Sequence, residues 1–197
     1  MKKSLLGRRK IVFLKSEVVL FVTTMLAFSF VAYHKDPYSF YKEHKEKYAQ
    51  EIIKKSIQNK VNPSEMLAIA VTESALNPKA YSRTKDVGLF QVNCKWWYKE
   101  FDYRSIKSCE KAMMNASTNI DAGIYILKYF RKNFKQCAGK FAYRCYNGGQ
   151  RWQRSKNKDK IIRYAASVLK RKKKIDLHYY DYIDKYKREA LFNELLY

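Results

Sequence analysis

One carboxylate in the sequence lies where an acid–base catalyst would need it. Glu73 falls near the end of a stretch with helical periodicity, and the residues three, four and seven positions before it are Ala70, Ile69 and Met66. Residues at these spacings share one helix face, so the carboxyl group lies on an apolar face. Desolvation there would raise its pKa and allow it to act as a general acid near neutral pH. A partly exposed glutamate at a frayed helix end is the alternative that this pattern alone leaves open.

Glu73 also opens a series of short sequence blocks in a fixed order. The blocks are the pair Glu73-Ser74, NPKAYS at 77–82, GLFQ at 88–91, NIDAG at 119–123 with IL at 126–127, and YNGG at 146–149. Together they resemble the motifs of the soluble lytic transglycosylase domain, a bacterial lysozyme-like family that cleaves the glycan strands of peptidoglycan. The resemblance covers roughly residues 60–170, and the order of the blocks makes it specific where any single block would be weak.

Asp86 departs from the family's pattern, because most members carry a small residue at that position. The run DVGLFQVN at 86–93, followed by Trp96 and Trp97, is similar to a segment of animal-type lysozymes and of a few transglycosylases attached to secretion and pilus machines. In lysozymes this aspartate is the second catalytic carboxylate, so the resemblance makes Asp86 a second catalytic candidate. A loop aspartate that hydrogen-bonds its own turn is the alternative.

The two carboxylates predict different products. Glycoside cleavage needs an acid for the leaving oxygen and a second group that meets the oxocarbenium-like centre. The resemblance implies that the bond between N-acetylmuramic acid and N-acetylglucosamine is cleaved with Glu73 alone, because the muramyl 6-hydroxyl attacks and leaves a 1,6-anhydro end. A second carboxylate at Asp86 would let water finish the reaction, as in a muramidase. An inactive wall-binding assembly protein on the same fold is a third alternative, which an intact Glu73 disfavours.

The resemblance also implies a set of substrate-binding side chains. Amide groups can bond the N-acetyl and hydroxyl groups of the sugars, and tryptophan rings can stack on pyranose faces, although a pair of tryptophans outside this motif is more often part of a core. We expect Tyr146 to hydrogen-bond near Glu73. The candidate binding residues are Ser82, Gln91, Asn93, Trp96, Trp97, Tyr146 and Asn147.

The cysteines and histidines predict disulfides and no metal site. Four cysteines allow three pairings, and proximity along the chain favours Cys94 with Cys109 and Cys137 with Cys145. Free buried thiols remain the alternative. The histidines are too scattered for a metal site, so we expect neither a metal nor a cofactor; they are His34, His44 and His178.

The elements that must position these residues are predominantly helical. Asn62 is the expected N-cap of the helix that carries Glu73, with Pro63 in its first turn, Glu65 at the reciprocal capping position and an end near Asn77-Pro78. The other predicted helices cover residues 42–60, 110–134, 141–146, 158–174 and 176–197; residues 79–88 form a loop and 89–92 a strand or turn. The apolar stripes are Tyr48, Ile52, Ile53 and Ile57 in the first helix; Met114, Ile120, Gly123, Ile124, Leu127 and Phe130 in the long helix; and Ile162, Ala165, Ala166 and Leu169 in the basic helix.

The N-terminal segment predicts a membrane anchor or a signal helix. Residues 18–33 are uncharged and mostly apolar, and basic residues precede them. We expect an uncleaved anchor, whose basic leader at 1–17 stays in the cytoplasm. Residues 34–60 then form a linker and amphipathic helix, residues 61–175 the lysozyme-like transglycosylase domain, and residues 176–197 a tail helix. This order places the catalytic domain outside the cytoplasm, on the periplasmic or cell-wall side.

Composition excludes several classes of protein. The 47% of apolar residues are too many for a disordered tail, and 6 Gly with 3 Pro exclude a collagen-like chain. The mean hydropathy of −0.56 excludes a polytopic membrane protein. The net charge of +23 predicts an anionic partner. Nucleic acid would explain the charge but neither the blocks nor the anchor, so the expected partners are peptidoglycan glycan strands and, through the N-terminal helix, the membrane. A secretion, conjugation or phage assembly is a further expected context.

Overall fold

Helices dominate the part of the chain that the structure describes. The structure is a computed structural model in which residues 43–178, 183–184 and 188 are described. The predicted leader, the anchor at 18–33 and most of the predicted tail helix lie outside the described residues. Over the described ranges, no helix is both long enough and apolar enough to span a bilayer.

The predicted helical class is confirmed. The helices are α1 Glu43–Gln58, α2 Pro63–Ser74, α3 Cys94–Trp97, α4 Ile106–Met113, α5 Ala116–Asn133, α6 Ala142–Gly148 and α7 Lys158–His178, with short 3-10 helices at Lys135–Cys137, Gly139–Phe141 and Trp152–Arg154. Two short strands, β1 Asp86–Val87 and β2 Val92–Asn93, pair antiparallel with Asp86 opposite Asn93. They frame a loop that follows α2.

Helix α2 lies at the centre of the core. Every residue from Pro63 to Val71 is buried, and the helix packs mainly against α7 and α1. A helix that is buried on all sides needs an apolar sequence all round, and MLAIAV supplies it. The predicted stripe of α1 faces this core, with Ile52 and Ile53 fully buried.

The start of α2 confirms one capping prediction and contradicts another. The Asn62 side chain accepts a hydrogen bond from the backbone N–H of Glu65 at 3.0 Å, as expected for an N-cap. The Glu65 carboxylate does not return the bond. It turns inward, with the side chain only 4% exposed, and pairs with Arg131 and the hydroxyl of Tyr143. A cation and a buried donor satisfy this carboxylate, so it takes no part in a capping box.

Helix α2 ends three residues earlier than predicted. Ala75 and Leu76 both have left-handed backbone conformations, with φ of 51° and 59°. Leu76 is fully buried, so the chain turns there to place its side chain in the core. The proline at position 78 set only the latest point at which the helix could end.

The predicted helix over 110–134 is two helices. Asn115 separates α4 from α5, and its side chain accepts from the N–H of Thr118 at 3.0 Å. Met114, predicted to face inward, is 41% exposed because it lies in the break between the two helices. A local N-cap therefore interrupts an apolar periodicity that looked continuous.

Helix α7 begins where predicted and continues to His178. Of its predicted stripe, Ala165 is buried and Ile162 is half-buried, whereas Ala166 and Leu169 are exposed. The buried face is shifted by one position and consists of Ile161, Ala165, Val168 and Ile175. The observed spacings of four, three and seven residues are those of a single helix face.

Two disulfides close short loops around the helical core. Cys94 pairs with Cys109 and Cys137 pairs with Cys145, with no free cysteine among the described residues. These are the two pairs that proximity favoured. The second bridge joins the segment after α5 to α6.

Candidate active site

Glu73 lies in the last turn of α2 with a half-buried side chain. Ala70, Ile69 and Met66, the predicted apolar neighbours on its face, are each fully buried. Burial raises the pKa of Glu73 from 4.5 to about 7, and the negative charge of Asp86 acts in the same direction. The carboxyl group can therefore hold or release a proton near neutral pH.

Tyr164 is the hydrogen-bond partner of Glu73. Its hydroxyl donates to Oε1 of Glu73 at 2.6 Å and thereby lowers the pKa of the carboxyl group, against the larger effect of burial. Burial and the neighbouring negative charge hold the pKa of Tyr164 well above 10, so the hydroxyl remains a donor. Sequence reasoning missed this residue because it placed the inner face of α7 one position away. The buried residues Ile161, Ala165 and Val168 identify the face on which Tyr164 lies.

Replacement of Tyr164 by phenylalanine should raise the pKa of Glu73 further. The change removes a hydrogen bond that favours the ionised carboxylate, and such a bond corresponds to about one pH unit or more. A ¹³C-NMR titration of the Glu73 carboxyl carbon measures the shift. The matched control is Tyr146→Phe, because the Tyr146 hydroxyl donates elsewhere. An unchanged titration in Tyr164→Phe, or an equal shift in both variants, would contradict this role of Tyr164.

Tyr146 lies close to Glu73 but does not bond to it. Its hydroxyl donates to the backbone carbonyl of Phe90 at 3.0 Å. Burial and, to a lesser degree, the charge of Glu73 raise its pKa well above 10. The expected hydrogen bond of Tyr146 therefore goes to the 88–91 loop, which borders the Glu73 carboxyl group.

The side chain of Asn119, in α5, also holds the chain around the 88–91 loop. Its fully buried side chain accepts from the N–H of Phe90 at 2.8 Å and donates to the carbonyls of Val87 at 2.8 Å and Met113 at 3.0 Å. Gly88, with φ of 76°, passes so close that an added Cβ would lie 2.4 Å from Nδ2 of Asn119. These three hydrogen bonds explain why an asparagine in α5 accompanies the GLFQ block.

Two further contacts fix the loop. Gly123 leaves room for the ring of Phe90, because a Cβ there would lie 2.4 Å from that ring. The hydroxyl of Ser74, next to Glu73, donates to the carbonyl of Leu89 at 2.8 Å. Helices α2, α5 and α6 therefore all hold the loop that borders the candidate catalytic carboxyl group.

Both carboxylate oxygens of Asp86 bond within its own loop. Oδ1 accepts from the Asn93 amide at 2.6 Å, and Oδ2 accepts from the hydroxyls of Ser82, at 2.7 Å, and Thr84. This is the arrangement of the loop-aspartate alternative, although the negative charge still acts on Glu73. Ser82 and Asn93, both predicted to bind sugar, here bind Asp86.

The remaining predicted binding residues fall into two groups. Gln91 donates its amide to the carbonyls of Gly88 and Ala80, and Trp97 is half-buried in a cluster of aromatic rings. The cluster around Trp97 consists of Phe101, Tyr125, Tyr129 and Phe130. In contrast, Trp96 is 72% exposed and Asn147 is exposed near the end of α6. Sugar stacking remains a prediction for both tryptophans, and Trp97 also packs within the aromatic cluster.

Comparison with known proteins shows the family to which this chain belongs. Residues 50–167 match the family model of the transglycosylase SLT domain, a range that contains Glu73 and its hydrogen-bond partner. The chain belongs to this family. The SLT domain match agrees with the resemblance read from the sequence blocks over 60–170. Across the described residues, no group of three or more metal-ligating side chains accompanies the site.

A solved structure supports the SLT-like fold. The chain is similar to the 70 kDa soluble lytic transglycosylase of Escherichia coli, with 22% identity and a TM-score of 0.53. The match covers 65% of this chain and 24% of that one, so the aligned part is about a quarter of the longer protein. A comparison with curated proteins gave no match.

Proposed function

We propose that this SLT domain cleaves the β-1,4 bond between N-acetylmuramic acid and N-acetylglucosamine in peptidoglycan and leaves 1,6-anhydromuramoyl ends. The observation that carries the proposal is the carboxyl group of Glu73, half-buried at the end of α2 within the matched domain, where burial raises its pKa to about 7. Membership in the SLT family supports the substrate class.

Glu73 serves as acid and then as base in the proposed reaction. It first gives its proton to the glycosidic oxygen as the bond between that oxygen and C1 of the muramyl residue breaks. The resulting carboxylate then takes the proton of the muramyl 6-hydroxyl, whose oxygen bonds to C1. A pKa near the working pH suits both steps, because each needs the opposite protonation state. No water and no second carboxylate enter this route.

A muramidase that uses Glu73 with Asp86 is the second candidate function. In that route Asp86 would have to meet the oxocarbenium-like centre or direct a water to it. Three donors hold the two oxygens of Asp86 within its own loop, which supports a role in loop structure and in the electrostatics of Glu73. We therefore favour the transglycosylase route.

Replacement of Asp86 by asparagine should lower the rate less than loss of Glu73 does. We expect about a tenfold decrease, because hydrogen bonds that shape the loop are weakened, with anhydro ends still the major product. Rates on purified peptidoglycan, with mass analysis of the products, provide the measurement. Thr84→Val is the control, since it removes one donor to Asp86 but keeps the charge. A loss as large as that of Glu73→Gln, together with loss of reducing ends, would make Asp86 a catalytic carboxylate.

A zymogram on purified cell wall tests the activity itself. We expect a zone of clearing at the position of the protein. Wall binding without clearing would instead favour the third alternative, an inactive assembly protein on the same fold.

We also propose that the domain works outside the cytoplasm, anchored through residues 18–33. The basic leader and apolar run support the anchor, and two disulfides are typical of an oxidising compartment. Fractionation with thiol labelling before and after reduction tests this: recovery in the cytosol with four free thiols would overturn it. A role in a secretion, conjugation or phage assembly stays a prediction.

A further inference from the structure

An open surface cavity with polar side chains around it lies on the chain segment that leaves α6. Its volume is about 430 Å³ and its lining consists of amide and guanidinium side chains, with no carboxylate: Gln136, Gln150, Arg151, Gln153 and Arg154. None of these residues belongs to the candidate active site. The cavity is therefore a second, chemically distinct feature of the domain.

The local backbone explains why these side chains converge. Residues after Gly149 form consecutive 3-10 turns, in which the N–H of Arg154 donates to the carbonyl of Arg151 at 2.9 Å. Because a 3-10 helix has three residues per turn, residues three apart eclipse one another. The hydrogen bond between Arg151 and Arg154 brings these two arginines one turn apart on the segment that borders the cavity.

Two contacts hold this wall in place. Trp152 is buried, and the guanidinium of Arg144 lies 4.8 Å from the centre of its ring. The Gln136 amide, from the 3-10 turn after α5, donates to the carbonyl of Gln150 at 3.3 Å. Gln136 directly precedes Cys137, whose disulfide to Cys145 fixes that side to α6. The backbone that borders the cavity is therefore tied to α6 by a buried ring and by a disulfide.

The two arginines that line the cavity indicate which class of ligand it can bind. Over residues 43–178, neither Arg151 nor Arg154 has a carboxylate partner, so two positive charges face the cavity uncompensated. Guanidinium groups bind carboxylates in a fork geometry, and glutamine amides match the donors and acceptors of peptide bonds. An acidic peptide offers both groups.

The cavity is also within reach of the candidate active site. Gln150 follows Tyr146 by four residues, which span at most about 14 Å even when fully extended, and Tyr146 bonds to the loop beside Glu73. We propose that the cavity binds an acidic peptide that branches from the glycan strand being cleaved. This inference rests on the proposed function, because it supposes that such a strand occupies the active site.

Matched charge variants and two forms of substrate test this proposal. The test variant is Arg151→Gln with Arg154→Gln. The control is Arg104→Gln with Lys107→Gln, an exposed pair at the same spacing that lies outside the cavity. Each is assayed on peptidoglycan that carries its peptide stems and on strands from which an amidase has removed them. We expect the test variant to lose about tenfold in kcat/KM on stem-bearing strands, mainly through KM, and to match the wild type on stripped strands. The control should match the wild type on both.

Several outcomes would overturn the assignment of the cavity. These are an equal loss on both substrates, an equal loss in the control variant, and no loss at all. A loss that occurs only on walls that retain phosphate-rich polymers, and disappears when these are removed, would show that the cavity binds phosphate and no peptide. If the wild type cleaves neither substrate, the proposed function fails as well. If it cleaves both and the test variant behaves like the wild type, the cavity assignment alone fails.

Discussion

Replacement of Glu73 by glutamine should abolish cleavage of peptidoglycan while the fold stays intact. Glutamine keeps the size and the hydrogen-bonding capacity of the side chain but cannot donate a proton to the glycosidic oxygen. Loss of a general acid costs typically ~10²–10⁴-fold in rate, and here the same group also serves as the base. The measurement is the initial rate at which soluble fragments leave purified peptidoglycan. Clearing at near wild-type rate would show that Glu73 is not the catalytic acid.

The pH dependence of the free energy of unfolding provides the control for the Glu73→Gln variant. Burial raises the pKa of Glu73 from 4.5 to about 7, so the folded state binds the proton more tightly than the unfolded state does. This stabilisation is complete below about pH 4.5 and is lost as the pH rises through about 7, a difference of up to about 3 kcal/mol in the free energy of unfolding. The glutamine variant has no such dependence. In urea unfolding, the free energy of unfolding of the variant minus that of the wild type should therefore be larger at pH 8 than at pH 5.

Replacement of Arg131 by methionine should destabilise the fold by about 3–5 kcal/mol, the usual cost of removing one partner from a buried ion pair. The Glu65 side chain is 4% exposed, so it would be left as a buried charge with only the Tyr143 hydroxyl as a charge-stabilising partner. The Arg131 side chain is 30% exposed, which favours the lower end of that range. Urea denaturation measures the change.

An exposed ion pair supplies the control. Lys55→Met breaks the pair between Lys55 and Asp121, whose carboxylate side chain is 55% exposed, and such pairs contribute only about 0–1 kcal/mol. The double change Glu65→Gln with Arg131→Met should recover part of the lost stability, because it removes the unpaired charge as well. If Arg131→Met costs no more than Lys55→Met, the buried pair does not stabilise the fold as described.

Local periodicity was enough to predict the environment of Glu73. The apolar residues at spacings of three, four and seven lie in the same helix, so no knowledge of distant contacts was needed. The two disulfides also follow from short separations along the chain. In each case the interacting residues are close in sequence, where simple geometry restricts the alternatives.

The contact of Tyr164 with Glu73 could not be predicted from local periodicity. It is 91 residues from Glu73 in sequence, and its contact depends on how α7 packs against α2. A shift of one position in the predicted inner face of α7 was enough to hide it. Glu65 shows a related limit, because a carboxylate at a capping position can also turn inward when a distant arginine meets it.

The sequence blocks identified residues whose physical role only the structure explains. Asn119 belongs to a block that carries the family resemblance, yet its hydrogen bonds to Val87, Phe90 and Met113 could not be derived from its position in a helix. Asp86 is the opposite case. Resemblance to lysozymes predicted a catalytic carboxylate, which stays a prediction, and the structure adds hydrogen bonds within the loop that no sequence block indicated.

Mass analysis of the fragments released from purified peptidoglycan tests the central claim most directly. If Glu73 alone serves as acid and base, the muramyl 6-hydroxyl is the attacking group and the wild type releases fragments with 1,6-anhydro ends, lighter by one water than the hydrolysis products. The same fragments should be absent with Glu73→Gln and still present with Asp86→Asn. Wild-type fragments that end mainly in reducing muramic acid, and that disappear with Asp86→Asn, would contradict the account and identify a two-carboxylate hydrolase.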